Sequence, residues 1–404
     1  MRRFLAAAAL ALCCVLPTGA VDFQFHALAD ARLVFAPNDD GYLDGGLGKL
    51  RYGEDDGHPR AHLGHAIGEG RAQILPELMA TATTRLDPDY GPGLDLLEAY
   101  LRYRPAPTGA WRWSVKAGAF FPPVPLENDE IGWTSHWTLT PSAIDSWVGA
   151  ELRVIGAEGT LEWDGADSTV TLIGGLFGDN DPAGVMMADR GWNFDDRVTG
   201  LFEKSRLPDA YAALTHQPTP LYTSVYGEID NQPGWYLDLR YEPQDWGGFE
   251  IMRYDNDADA SRSRNGLFAW HTDFWNFGLR KQIDALTLLA QAMTGKTTVE
   301  PPGFRSDTDF KSAYLLAGWQ MENWWFAARA DVFQTRTGTS AGAVSPLSED
   351  GSAGTVSVSW QAKEWLRLTG ELLQVDSRRG QRSLTGDAPR QSETQFQLAG
   401  RFYL

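Results

Sequence analysis

Apolar and polar positions alternate with a period of two along most of this chain. In the final stretch Thr394, Phe396, Leu398, Gly400, Phe402 and Leu404 share one face, and Glu393, Gln395, Gln397, Arg401 and Tyr403 share the other. Successive side chains of a strand point to opposite faces, so this alternation predicts a strand lying between two different surroundings. Near the other end Phe23, Phe25, Ala27, Ala29, Ala31, Leu33 and Phe35 alternate with Gln24, His26, Asp30 and Arg32. The pattern returns at Trp111, Trp113, Val115, Ala117 and Ala119 against Arg112, Ser114 and Lys116. It returns again at Trp235, Leu237, Leu239 and Tyr241 against Asp238 and Arg240, and at Trp324, Phe326, Ala328, Ala330 and Val332 against Arg329 and Asp331. Each segment has about the ten residues that a tilted membrane-spanning strand needs. An alternating apolar strand running to the last carboxylate leaves an open edge in a soluble sheet, whereas pairing with the first strand closes a barrel.

Connection lengths support a barrel. Segments 105–110, 164–167, 321–323 and 362–364 read as short turns, while 122–146, 178–191, 296–309, 337–352 and 377–391 read as long polar loops rich in Gly, Pro and Asp. In outer-membrane barrels short turns face the periplasm and long loops face outside, and two periplasmic termini require an even strand number. Admitting weak strands at Leu47 to Tyr52 and Leu221 to Ile229 gives 18, and discarding one weak pair gives 16. The expected fold is all-β, a transmembrane antiparallel up-and-down barrel. Ser205 to Pro220 reads as an extended turn with a short helix. Pro122 to Ser146 follows the fifth strand, which makes it the third external loop. Its prolines stiffen it, and Trp133, Trp137 and Trp147 would be costly to leave in water, so it is expected to fold inward against the wall.

The first 20 residues change the reading of compartment. Arg2 and Arg3 precede an apolar run from Phe4 to Leu16, followed by Pro17-Thr18-Gly19-Ala20, which is the pattern of a secretory signal peptide cleaved after Ala20. Residues 21–404 then form a single barrel domain. Cys13 and Cys14 both lie in the signal, so the mature chain has no disulfide and no thiolate metal site. Removing Arg2 and Arg3 from the 35 basic residues leaves 33 against 53 acids, a net charge of −20, which disfavours nucleic acid as a partner. The 16 Trp, 13 Tyr and 19 Phe suit a strand protein whose aromatic side chains meet a membrane interface.

The stretch Lys116-Ala117-Gly118-Ala119-Phe120-Phe121-Pro122-Pro123, followed by Leu126-Glu127-Asn128, resembles the glycine-aromatic-proline-glutamate stretch of phosphate- and pyrophosphate-selective porins. The last strand resembles the C-terminal assembly signal of outer-membrane barrels, with Leu404 where Phe is usual. These resemblances imply a porin of a Gram-negative outer membrane and leave its solute open. They also imply recognition by the barrel-assembly machinery through the last strand, contact with outer-membrane lipid and lipopolysaccharide, and the homotrimer that general porins form.

Alternation assigns Arg32, Arg112, Lys116, Arg240, Arg329, Arg367 and Arg401 to the lumen, together with Asp30, Asp238, Asp331, Glu371 and Glu393. A wall bearing arginine would attract anions, although inward Arg and Asp also pair simply to satisfy one another. The expected lining and constriction comprise Arg112, Lys116, Glu127, Asp129, Glu130, Arg240, Arg329 and Asp331. Candidates for other chemistry are sparse. His58, His62 and His65 would share a helix face and could hold a metal, but Pro59 and Gly64 oppose a helix, and a solvated periplasmic turn is expected. His136 beside Ser135, and His271 near Thr272 and Asp273, lack a nucleophile motif, because neighbours on a strand face opposite ways. Passive diffusion of small hydrophilic solutes, without cofactor, metal or enzyme activity, is the expected function. A closed structural or adhesive barrel and a barrel-embedded hydrolase are the alternatives.

Overall fold

The computed structural model describes residues 21–53, 58–87, 93–211, 220–339 and 346–404; the proposed signal peptide and its cleavage point lie outside them. Sixteen antiparallel strands close into one barrel. In chain order they are β1 (Asp22–Phe35), β2 (Arg60–Leu75), β3 (Leu78–Leu86), β4 (Leu94–Tyr103), β5 (Trp111–Phe120), β6 (Val154–Asp164), β7 (Ser168–Gly178) and β8 (Gly234–Pro243), followed by β9 (Gly248–Asp255), β10 (His271–Ile283), β11 (Leu286–Val299), β12 (Ser306–Met321), β13 (Trp324–Thr339), β14 (Glu349–Lys363), β15 (Leu366–Arg379) and β16 (Arg390–Tyr403). The terminal strands pair from Leu28 with Tyr403 to Phe35 with Phe396, as their alternation predicts, so no edge remains.

The count is 16 rather than 18. Leu47 to Tyr52 is no wall strand: Leu47 and Leu50 are buried in the lumen, and Leu50 makes a single parallel bridge to Phe194. Of Leu221 to Ile229, only Tyr222–Thr223 is extended, pairing with Ser205–Arg206 in a small separate ladder. Part of the Ser205 to Pro220 segment, 212–219, lies outside the described residues. Both discarded segments belong to loops whose alternation comes from packing on other loops. The loop expected at 296–309 shrinks to 300–305, because outward Lys296, Asp307 and Asp309 gave strand ends a loop-like polarity. The loop expected at 178–191 instead runs from 179 to 233.

Across the middle of the wall most outward side chains are apolar and exposed, and most inward ones are buried. Trp111, Trp163, Trp246, Trp324, Trp360 and Trp365 all stand outward at the short-turn end, where an aromatic girdle belongs. Among the described residues no helix is long and apolar enough to cross a membrane. Inside, the third loop (121–153) and the fourth loop (179–233), each with a helix, α1 (Ala143–Glu151) and α2 (Val185–Asp189), enter the barrel with part of the first loop (36–59). Every residue of α1 is buried. Trp147 of α1 packs edge-on against Trp192 of the fourth loop and Phe274 of β10. Phe194 likewise meets Phe333 of β13. The outer half of the lumen thus holds an apolar core, while its inner half remains polar and hollow.

Candidate functional site: an inner cavity beneath the third loop

The hollow is about 630 Å3 and reaches from Arg104, Arg112 and Glu162 near the short turns up to Phe121 and Trp133. One side is the wall of β2 to β8. Register places Arg102 of β4 opposite Lys116 of β5, and Lys116 opposite Glu158 of β6, all inward. The other side is the descending part of the third loop, Pro122 to Trp133, with Asp129 and Glu130 at its tip. The loop can cross the lumen because side chains of the wall from β8 onward satisfy its backbone. Arg240 donates to the Pro123 carbonyl (3.1 Å), Gln291 to that of Val124 (2.7 Å) and Arg280 to that of Leu126 (3.0 Å). Glu371 of β15 accepts the amides of Leu139 (2.6 Å) and Thr140 (3.1 Å). These bonds give an irregular segment the partners that a buried backbone requires.

Five of the residues anticipated from the sequence, Arg112, Lys116, Asp129, Glu130 and Arg240, border this cavity. Glu127, Arg329 and Asp331 do not. They form a dry cluster with no exposed side-chain surface, in which Arg329 bonds Glu127 (3.1 Å) and Asp331 (2.9 Å) and donates to the carbonyls of Thr140 and Pro141 (both 2.9 Å). Their place is the anchor of the loop. The pairing of lumen charges with one another is extensive: Arg401 and Arg32 both bond Asp30, Arg112 bonds Glu162 and Asp164, and Lys116 bonds Glu158. Glu130 accepts from Arg367 (2.8 Å) and Arg401 (3.0 Å). Sequence reading missed Arg71, Glu98, Arg102 and Arg104 in the lining. The signal was available in β4, where Glu98 and Arg102 stand opposite outward Leu101 and Tyr103. Among the described residues, Arg102 and Arg104 have no carboxylate within ion-pair distance; Arg102 lies 5.5 Å from the Tyr100 ring centre.

The cavity has a thin roof. Phe121 and Trp133 stack with centroids 3.8 Å apart, and the Arg153 guanidinium lies 3.4 Å from the Phe121 centroid. Arg153 also donates to the Thr199 carbonyl (2.7 Å) and the Tyr226 hydroxyl (3.3 Å). Thr199 lines a second cavity, about 690 Å3, bounded by Tyr42, Arg190, Arg197 and Tyr222 of the first and fourth loops on the outer side. A layer of stacked side chains therefore separates an inner from an outer chamber. Trp133 holds its place with a positive φ of 72°, after Gly132 at 63°, a conformation uncommon for a bulky residue and maintained here by the indole bond to the Asp145 carbonyl (3.0 Å).

Ionisable groups are built into the outer packing. Lys49 and Arg379 converge on Glu349, which also accepts the Trp192 amide (3.1 Å). Asp196 gathers Arg32, Arg51 (3.0 Å) and His65 (2.8 Å). Burial pushes the Asp189 carboxyl of α2 up to about 7, with Arg379 opposing that shift. A carboxyl with a raised folded value is held protonated while the unpacked chain already ionises. Packing of α2 therefore weakens as pH rises from about 4 to about 7 and is weakest above that window. We expect hydrogen-exchange protection at 185–192, corrected for the intrinsic rise of exchange with pH, to fall between pH 5 and pH 8, and Asp189→Asn to flatten that fall. Equal pH dependence in both proteins would contradict it.

The histidines are not in a periplasmic turn. His58 ends the first loop and His62 and His65 lie at the long-loop end of β2, where His65 is buried on Asp196 (2.8 Å) and the His62 ring meets Tyr52 tilted, with centroids 4.5 Å apart. The register shift in the pairing of β2 to β1 adds a residue between them, so His62, opposite inward Arg32, and His65 both face the lumen. His136 pairs with Asp129 (2.5 Å), and the nearby Ser135 hydroxyl accepts the Trp137 amide. Carboxylates of Asp181, Glu228 and Asp230 come within 4.8 Å of one another in the fourth loop, the one such grouping among the described residues.

No family model and no curated protein matches this sequence. Solved structures do. The trimer form of in-vitro folded OmpT, an outer-membrane protein of Vibrio cholerae, aligns over 96% of this chain and 100% of its own, at 11% identity and a TM-score of 0.52. OmpF of Salmonella typhi, in complex with daunomycin, aligns over 95% and 97%, at 12% identity and a TM-score of 0.53. With the closed strand order and the outward aromatic girdle, these likenesses make the chain a bacterial outer-membrane β-barrel with a porin-like fold.

Proposed function

We propose that this barrel is a channel of low conductance for small hydrophilic solutes, which pass between the third-loop tip and the β2 to β8 wall. The observation that carries the reading is the polar cavity inside the barrel, open toward the short turns and faced on both sides by charged groups. Selectivity in such a passage follows from width and lining charge. Most lining charges neutralise one another in pairs, so discrimination rests on those left over. Of the cations that line the cavity, Arg102 and Arg104 are those without an acid partner among the described residues, which favours a weak anion preference. Reversal potentials in asymmetric salt test it: the native protein favours anions, and Arg102→Gln with Arg104→Gln shifts the potential toward cations. An unchanged potential would remove these arginines from the ion path. Three-barrel association and recognition of the last strand during assembly are part of the same proposal. A mass of one barrel in mild detergent would contradict the association.

A second reading, a closed structural barrel, is favoured by the core of Trp147, Trp192, Phe274 and Phe310 that crosses the outer lumen. It predicts no current from folded protein.

A further inference from the structure

The outer wall carries a charged feature that the channel does not use. Cross-strand register makes Thr294, Lys311, Gln334, Asp350, Arg378 and Arg390 successive neighbours from β11 to β16. Burial alternates along these strands, with Ser312, Phe333, Ser377 and Arg379 buried toward the lumen, so this row points outward. Arg378 and Arg390 stand directly opposite one another, and like charges so placed repel unless an anion lies between them. Among the described residues none of Lys311, Arg378 and Arg390 has a carboxylate within ion-pair distance; the Asp350 carboxylate has Arg336 at 4.0 Å instead. A groove of about 640 Å3 opens along the row. On the membrane side it is bordered by Ala292, Ala313 and Val332, small or apolar side chains that leave the wall hollow beneath the long charged ones. The groove thus sits where the apolar band of the barrel gives way to its polar rim.

We propose that this groove binds a phosphorylated glycolipid of the outer leaflet. A phosphate between Arg378 and Arg390 accepts charge-assisted, geometrically matched hydrogen bonds from two guanidinium forks and removes their mutual repulsion, with Lys311 supplying further positive charge. Asp350, Asp376 and Gln334 line the same groove and accept bonds from sugar hydroxyls, which a simple phospholipid headgroup offers in smaller number. Acyl chains lie against Ala292, Ala313 and Val332. The site is on the outside of the barrel and stands whether or not the lumen conducts.

The test uses native mass spectrometry of the purified, folded barrel titrated with bisphosphorylated lipid A or with the same lipid dephosphorylated. The native protein is expected to retain the bisphosphorylated form about tenfold more tightly. Arg378→Gln with Arg390→Gln, which removes a repulsion and so should fold, is expected to abolish that difference. Ala313→Trp, which fills the hollow and spares the charges, is expected to weaken both lipids. Equal retention of the two lipids by the native protein, native-like discrimination by the double variant, or a change in oligomer mass in place of lipid retention would overturn the proposal; the last would make this wall a contact between copies of the chain.

Discussion

Replacing Trp133 by alanine is expected to raise single-channel conductance roughly threefold, because it breaches the layer between the two chambers at its thinnest point, where passage depends on local width. The indole covers one face of Phe121 while Arg153 covers the other. Its ring nitrogen holds the start of α1 through the Asp145 carbonyl, and Gly149 leaves room for it: a Cβ there would come 2.9 Å from that nitrogen. Truncation removes the stack and that bond together without touching a wall strand, so the barrel should assemble normally. Adding Phe121→Ala should increase conductance further. Planar-bilayer recordings on protein with native heat-modifiable gel mobility check this, and unchanged current in the folded Trp133→Ala protein would place the conducting path elsewhere.

Arg329→Met is expected to be the most destabilising single change in the lumen. It leaves Glu127 and Asp331 buried without their cation and deprives the Thr140 and Pro141 carbonyls of their donor. Breaking a buried pair from one side costs about 3–5 kcal/mol, because the remaining charge is neither solvated nor matched. The third loop should lose its anchorage on β13, giving a lower unfolding temperature and new protease cleavage within 121–153. Arg367→Gln is the contrast. Its partner Glu130 keeps Arg401 at 3.0 Å and is partly exposed, so no charge is left without a partner and the loss should be clearly smaller than for Arg329→Met. Equal melting of the two variants would mean that Arg329 does not anchor the loop.

Both expectations depend on parts of the molecule that differ in how far the sequence discloses them. The wall was legible because membrane on one side and lumen on the other impose a strict period of two on each strand. Alternation in β1 and β16 predicted their pairing as well as their existence. It also assigned Arg32, Asp30, Arg329, Asp331 and Arg401 to the correct side, since the two faces of a closed sheet have no third option. The third loop was legible from its place after the fifth strand and from tryptophans that needed cover.

What alternation cannot distinguish is a strand in the wall from an extended segment packed inside it. Lys49 and Arg51 alternate with Leu50 as wall residues would, yet they are buried on Glu349 and Asp196, far away in sequence. The same limit hid the fourth loop: Trp192 and Phe194 meet Phe310 and Phe333 only once the barrel has closed. It also turned Glu127, Arg329 and Asp331 from expected lining into anchor, because an inward side chain faces water or another loop according to where that loop goes. Arg102 and Arg104 needed no such knowledge; an inward position on β4 and an inner turn sufficed.

The most direct test of a conducting inner cavity uses a single cysteine. Ser114 lines it from β5, and the chain's own cysteines, Cys13 and Cys14, lie in the N-terminal segment read as a cleaved signal. Ser114→Cys should carry current like the native barrel, and attachment of a bulky charged thiol reagent during recording should then reduce that current in discrete steps. Complete labelling with no change in current, or folded barrels that never conduct, would contradict the account.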